Sequence, residues 1–332
     1  MESRIHKLIS TLLISCSITV IHNAHATEPR PFDDKNLIST FVSEMVEEHK
    51  FDASLLTELF DKARLHQSII DAISRPAESK PWYESPTIFV TRERVRGGLL
   101  FWNEHADILQ KVSETYMVPP QILVAIVGVE TRYGKHKGSY PVLDSLSTLA
   151  FAYPPRAKFF RSELKHFLLM TREEKMDPLE LKGSYAGAMG MPQFISSSFR
   201  HYAVDFDKDG KRDLWENVSD ALGSVGNYFK RHGWKAGEPV THKVEVSGLK
   251  YKTLIDGSLK PRYTPEQLRL AGVVLPAGLP ADLKGNLIEL ENGDGVEHWV
   301  TWHNFYVISR YNHSALYSMA VYQLSNEIAT SR

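Results

Sequence analysis

The chain has a single cysteine, Cys16, in 332 residues. One thiol cannot close an intramolecular disulfide, and a zinc site built on several thiolates is equally excluded. Charge of one sign is also missing. Thirty-nine basic residues stand against 40 acidic ones, for a net charge of -1. So even a balance carries no electrostatic case for nucleic acid. There is no internal repeat and no low-complexity tract. With 42% hydrophobic, 24% charged and 11% aromatic residues, collagen, coiled coil and wholesale disorder are ruled out. What remains is a globular chain long enough for about two domains of ~150 residues, working through oxygens, ring nitrogens and shape.

The N-terminus reads as an export signal. Met1 to Lys7 holds two basic residues and one acidic one, and Leu8 to Ile21 is apolar apart from Ser, Thr and Cys. Ala24-His25-Ala26 then offers a small-residue cleavage site. The apolar run falls short of the ~20 residues that span a bilayer as a helix. Leu13-Ile14-Ser15-Cys16 offers a second reading, a lipobox with Cys16 lipidated. Cleavage after Ala26 is favoured, because Ile18, Val20 and Ile21 keep the chain apolar beyond the cysteine. Both readings export the protein.

Helical spacing follows. Leu37, Phe41, Met45 and Val46 predict one helix, and Asp52 caps a second carrying Leu55, Leu56, Leu59, Phe60 and Ala63. Ile69, Ile70 and Ile73 predict a third that stops before Pro76. Ala77 to Pro86 reads as a turn-rich link, and Leu99 to Val112 as one long helix. Pro119-Pro120 opens the next helix, Gln121 to Glu130. That helix is apolar on all sides, so it is buried, and it delivers Glu130 near its end. Helices are also expected over Arg156 to Met170, Val218 to His232 and Ser314 to Ile328. Between them, Val240 to Val246 alternates as a strand does, and Leu287 to Glu291 and Val296 to Trp302 flank a turn at Asn292-Gly293-Asp294-Gly295. A small β-containing module near 240–300 is therefore expected within a helical protein.

Three stretches carry chemistry. Asp205, Asp207, Asp209 and Asp213 occupy positions one, three, five and nine of a twelve-residue loop, with Gly210 at six and Glu216 at twelve. That is the ligand pattern of an EF-hand, with Lys211 giving its backbone carbonyl. Oxygen donors suit Ca2+. The loop is single and Arg212 replaces the usual apolar residue at position eight, so a structural role is expected. The second stretch is Gly128-Val129-Glu130-Thr131-Arg132-Tyr133-Gly134. A carboxyl group leaving an apolar helix is desolvated, which raises its pKa toward what a general acid needs near neutrality. A Glu that merely ends the helix and pairs with Arg132 or Lys135 is the alternative. The third, Lys182 to Phe194, is dense in small residues and carries Ser184 and Gln193, suited to hydrogen-bonding a sugar.

These stretches, with Val118-Pro119-Pro120, Leu143-Asp144-Ser145-Leu146, Tyr153-Pro154, Pro192-Gln193-Phe194 and Arg310-Tyr311-Asn312, resemble the lytic murein transglycosylases of the B family over Trp82 to Tyr317. The resemblance implies a mainly α (α+β) fold: a lysozyme-like helical core, a helical accessory domain and a small inserted β domain. The expected division is 1–26 signal peptide, 30–80 accessory helices, 81–239 core, 240–300 β module and 301–332 returning to the core. The implied substrate is the β-1,4 bond between N-acetylmuramic acid and N-acetylglucosamine in peptidoglycan. The implied reaction uses no water, the muramyl 6-hydroxyl attacking its own anomeric carbon to leave a 1,6-anhydro end. Glu130 is the implied acid and base. By the same resemblance Ser184 and Asn312 hydrogen-bond substrate, Gln193 and Arg156 orient glycan, and Tyr153, Tyr228 and Tyr311 line the cleft. The family often has Trp where Tyr133 stands, and expects an aromatic residue just after Pro81-Trp82, where Tyr83 and Ser85 are found. A monomeric periplasmic enzyme follows, with outer-membrane association if Cys16 is lipidated. A lysozyme-like hydrolase and a non-catalytic peptidoglycan-binding protein are the competing readings.

Overall fold

The computed structural model describes residues 28–75, 90–292 and 295–332. The export signal with Cys16, the link with Tyr83 and Ser85, and the tip of the 292–295 turn lie outside them.

Three short helices come first: α1 (Lys35–His49), α2 (Ala53–Lys62) and α3 (Gln67–Ser74). The Asp52 carboxylate accepts hydrogen bonds from the Ser54 and Leu55 amides, so α2 starts where the sequence places its cap. Phe41, Met45, Leu56, Phe60 and Ile69 point into one apolar cluster with α7 (Val142–Ala152) and α8 (Ala157–Glu174). A second cluster is built by α4 (Arg92–Glu104), α5 (Ala106–Tyr116) and α6 (Pro120–Thr131). It is completed by α10 (Val218–Arg231), α12 (His303–Ser309) and α13 (Ala315–Thr330). In α6, Ile122 to Val127 are all buried, as an all-apolar helix requires. Burying each large aliphatic side chain is worth ~1.5–3 kcal/mol, so α6 is anchored along its length. No single helix among the described residues is long and apolar enough to cross a membrane.

The expected single helix over Leu99 to Val112 is two helices. It begins at Arg92, capped by Thr91, and breaks at His105. Gly97 and Gly98 lie inside α4 although glycine is a poor helix former. In the fold they are needed at the surface of α4: a Cβ on Gly97 would lie 2.8 Å from the Tyr133 ring.

Strands β1 (Tyr140–Pro141) and β2 (Lys182–Gly183) pair antiparallel, Tyr140 opposite Gly183. Strands β3 (Thr241–Val244), β4 (Asn286–Glu291) and β5 (Val296–Thr301) form an antiparallel sheet in the order β3-β5-β4. Its register sets Thr241 and Asn286 opposite Thr301. One face packs Val244, Leu287 and Val300 against Leu268 of α11 (Pro265–Leu270) and Trp302. α9 (Ser196–Tyr202) joins the glycine-rich stretch to the acidic loop. Tyr311 touches both helical clusters, which places the seam between them beside the end of α6.

Candidate active site

Glu130 is the second-last residue of α6. The helix ends because Arg132, Tyr133 and Gly134 all turn left-handed, at φ 49°, 63° and 82°. A non-glycine residue costs ~1–2 kcal/mol in that region, so the turn is held by its surroundings. The Tyr133 hydroxyl donates to the Arg94 carbonyl at 2.6 Å, and its ring lies so close to α6 that a Cβ on Gly128 would come within 2.7 Å. The buried Arg94 guanidinium donates to the Gly128 carbonyl at 2.8 Å and the Val129 carbonyl at 3.4 Å. A cation thus meets the negative end of α6, just before Glu130. Thr131 fixes the other side, its hydroxyl donating to the Met191 carbonyl at 2.9 Å and accepting from the Gly134 amide at 3.0 Å.

The Glu130 carboxyl is densely surrounded by protein but not closed off from solvent. Burial pushes its pKa up to about 7, and a hydrogen bond from Tyr317 pulls the other way. Tyr317, in the first turn of α13, donates to Oε1 at 2.5 Å. Neither Arg132 nor Lys135 pairs with it. No other acid among the described residues contributes to its shift. The Tyr311 ring stacks on Tyr317 at 6.5 Å and 11°, and its hydroxyl donates to the Pro192 carbonyl at 2.6 Å. Burial, then the nearby Glu130 charge, hold both phenols well above their ordinary pKa.

The other expected site residues have varied settings. Tyr228 is only 7% exposed; it packs 4.8 Å from Tyr311 and donates its hydroxyl to the Arg310 carbonyl at 2.6 Å. It backs Tyr311. Ser184 shapes its own turn, its Oγ accepting from the Ala186 and Ala188 amides at 3.3 and 3.0 Å. Gln193, at φ 52°, donates its amide to the Gly190 and Lys137 carbonyls at 2.9 and 3.2 Å. That leaves only its oxygen for a ligand. Asn312 is exposed. Tyr153 ends α7, half-buried against the first cluster, and Arg156 lies exposed with its guanidinium 4.5 Å over Phe159. None of these six hydrogen-bonds Glu130.

The acidic loop gathers Asp205, Asp207, Asp209 and Asp220, each offering an oxygen within 4.8 Å of the others. Backbone amides arrange the first and third: Asp209 and Gly210 donate to Asp205 at 3.0 and 2.9 Å, and Lys211 donates to Asp209 at 2.9 Å. Asp213 accepts from the Trp215 and Glu216 amides at 2.8 and 3.0 Å. Glu216, expected at the twelfth position, instead pairs with Lys137 at 2.6 Å. Asp220, in the first turn of α10, joins the group in its place. Its carboxyl is pushed above the ordinary range, first by burial and further by the charges of Asp207 and Asp205. Four oxygen donors and mutual repulsion fit a hard cation such as Ca2+. The loop is tied to the site: the Met191 amide donates to the Leu214 carbonyl at 2.8 Å, and Met191 in turn accepts from Thr131.

Comparison with known proteins puts this arrangement in context. A family model described as a transglycosylase SLT domain matches residues 33–326. The chain belongs to this SLT transglycosylase family. It is 42% identical over 302 residues to membrane-bound lytic murein transglycosylase B of Escherichia coli K12, spanning 88% of this chain and 82% of that protein. The soluble lytic transglycosylase SltB1 of Pseudomonas aeruginosa superposes with a TM-score of 0.85 at 49% identity, covering 89% of this chain and 99% of that one. The E. coli lytic transglycosylase Slt35 in complex with calcium superposes at 0.83 and 40% identity, covering 93% and 98%. The mostly helical fold with small sheets is thus a lytic transglycosylase fold.

Within this SLT fold, sequence reasoning missed Tyr317, Arg94 and Asp220. Tyr317 stands 187 residues from its partner, and no local pattern marks it. Arg94 lies ahead of Leu99, where the helix is expected to start. Asp220 lies outside the twelve-residue template.

Proposed function

We propose that this chain is a lytic transglycosylase that cleaves the N-acetylmuramic acid to N-acetylglucosamine β-1,4 bond of peptidoglycan without water. One observation carries the reading: a single carboxyl, Glu130, held at about 7 with a tyrosine donor and no second acid acting on it. Ordinary glycosidases use two carboxylates. A single one suffices when the substrate brings its own nucleophile. Protonated Glu130 gives its proton to the glycosidic oxygen as the C1–O bond breaks. The muramyl 6-hydroxyl then bonds to C1, and the Glu130 carboxylate takes the hydroxyl proton. Atoms balance, and the acid is regenerated. The substrate's acetamido group supports the positive C1. Tyr317 orients the carboxyl through both steps. Ser184, Gln193, Asn312, Tyr153 and Arg156 are proposed to contact glycan, with Tyr311 and Tyr228 forming an aromatic wall.

Asp205, Asp207, Asp209 and Asp220 are proposed to hold Ca2+, as the calcium complex of the relative suggests. The ion supplies charge neutralisation and rigidity to the loop, not chemistry at the sugar. The relatives' action on murein supports export to the cell wall, with cleavage after Ala26 or lipidation at Cys16.

The test is mass spectrometry of digested cell wall with the wild-type chain and Glu130→Gln. Wild type should release products one water lighter than hydrolysis products, and the variant none. Reducing muramic ends alone, or normal lysis by Glu130→Gln, would overturn the reading.

A further inference from the structure

The turn that ends α6 leads into residues 136–139, which belong to no helix or strand, and then into β1. Such a stretch has no ladder of its own, so its path depends on a few anchors. Lys137 supplies one. It is half-buried between exposed His136 and Gly138, and its ammonium donates to the Trp215 carbonyl at 2.7 Å and to the Glu216 carboxylate at 2.6 Å. Both acceptors stand at the end of the acidic loop. The Glu216 bond is exposed and weak by itself. The Trp215 bond is part-buried and charge-assisted, so it is the firmer hold. Trp215 is fixed in turn, its indole N–H donating to the Lys182 carbonyl at 2.9 Å. Next to Lys137, Gly138 lies at φ 92° against the Gly183–Ser184 backbone, where a Cβ would come within 2.1 Å of Gly183.

The backbone of Lys137 serves a residue of the cleft. Gln193 donates its side-chain amide to the Lys137 carbonyl at 3.2 Å and to the Gly190 carbonyl at 2.9 Å. The Gly190 bond lies within the turn of Gln193 itself. The Lys137 bond alone ties that amide to another segment. With its N–H groups on these two carbonyls, the amide plane is set, and Oε1 is the atom left for a ligand. Gln193 also stands near the acid. The preceding carbonyl, Pro192, accepts from Tyr311, which stacks on Tyr317, the donor to Glu130. The Met191 carbonyl accepts from Thr131, the neighbour of Glu130.

We propose that Lys137 is a positioning residue for glycan binding. By tying the 136–139 stretch to the end of the acidic loop, it holds the carbonyl that sets the Gln193 amide, whose oxygen then accepts from an N–H or O–H of the sugar. Lys137 acts through Gln193, not on the sugar. This rests on the transglycosylase reading above, in which Gln193 contacts glycan.

The experiment is a double-mutant cycle in the full chain, read as kcat and KM on soluble glycan strands. Lys137→Met keeps an unbranched apolar stem and removes the charge. It should raise KM about 10-fold, the lower end of what a charge-assisted hydrogen bond is worth. Change in kcat should stay within about two-fold, as for lost uniform binding. Gln193→Ala should raise KM at least as much, and adding Lys137→Met to it should cost nothing further, because residues acting through one contact are not additive. Lys137→Arg should restore most of the affinity. Glu216→Gln leaves the Trp215 carbonyl in place, so it should raise KM less than Lys137→Met, and it serves as the probe if Lys137→Met folds poorly. An unchanged KM in both Lys137→Met and Glu216→Gln, an equal loss in kcat, or effects of Lys137→Met and Gln193→Ala that multiply would each overturn the proposal. Should the wild type yield no anhydro product, the transglycosylase reading fails separately. The same cycle is then read as the Kd for purified glycan strands by calorimetry. Multiplying effects on Kd, or no binding by the wild type, would overturn it.

Discussion

Glu130 and the Asp205–Asp220 group are both carboxyl sites, one an acid standing alone and the other four carboxyls gathered together. Glu130 receives one phenolic hydrogen bond and no backbone amide, so desolvation wins and its charged form is disfavoured. The loop aspartates accept from peptide N–H groups, two on Asp205 alone, while the chain crowds their oxygens to within 4.8 Å of one another. The first arrangement stores a proton. The second demands a cation. Residue type does not separate the two; the number of carboxyls that the chain brings together does.

The largest effect that could break this contrast is Glu130→Gln. Loss of a general acid should cost about 10³-fold in kcat/KM, within the range such groups contribute. The wild-type alkaline limb should fall through about pH 7, where Glu130 loses its proton. Stability should move the other way. The folded pKa lies above the unfolded one, so the stabilisation is complete below about pH 4.5 and is lost as pH rises through about 7. Glutamine cannot ionise. The variant should therefore melt a few degrees above wild type at pH 8 and level with it at pH 4. A variant no more stable at pH 8 would mean that Glu130 is not the desolvated acid described.

Calcium tests the other half. Chelation should lower Tm, since an ion at about 100 times its Kd adds ~2.7 kcal/mol to the folded state. Asp220→Asn should abolish most of that response, whereas Glu216→Gln should keep it, because Glu216 is engaged by Lys137. The reverse outcome would restore the twelve-residue template.

Thr131→Val cuts the joint between the two regions. It leaves the Met191 carbonyl without its hydroxyl donor and the Gly134 amide without its acceptor. Unsatisfied buried groups cost ~1–3 kcal/mol. A lower Tm and a lower kcat with an unchanged calcium response would show that the loop holds its ion independently of the site. A weakened calcium response would show the two regions to be one unit.

Legibility followed the range of the interactions. The Asp52 cap, the buried helix behind Pro120 and the alternation in β3 to β5 are local, and the sequence shows them within a few residues. Glu130 was visible for the same reason: an acid at the end of an all-apolar helix needs no partner to be unusual. The helix expected from Leu99 starts at Arg92 and includes Gly97-Gly98, whose missing side chains make room for Tyr133 and Ile328 from elsewhere in the chain. Glu216 fits the twelve-residue template in sequence, and only the fold shows it paired with Lys137, 79 residues away. Tyr317 was invisible because only the packing of α13 on α6 brings it to Glu130.

Tyr317→Phe is the smallest and most specific change. The hydroxyl's hydrogen bond lowers the Glu130 pKa against burial, so removing it should raise that pKa. The alkaline limb of kcat/KM should then move upward by less than about one unit, since one unit corresponds to ~1.4 kcal/mol, the size of a typical hydrogen bond. The ring remains to stack on Tyr311, so the wall should persist and KM should change little. A limb that moves down would mean that Tyr317 favours the protonated form, and the acid would owe its poise to the phenol rather than to burial. A limb that stays in place with a lower kcat would assign Tyr317 to orienting the carboxyl alone.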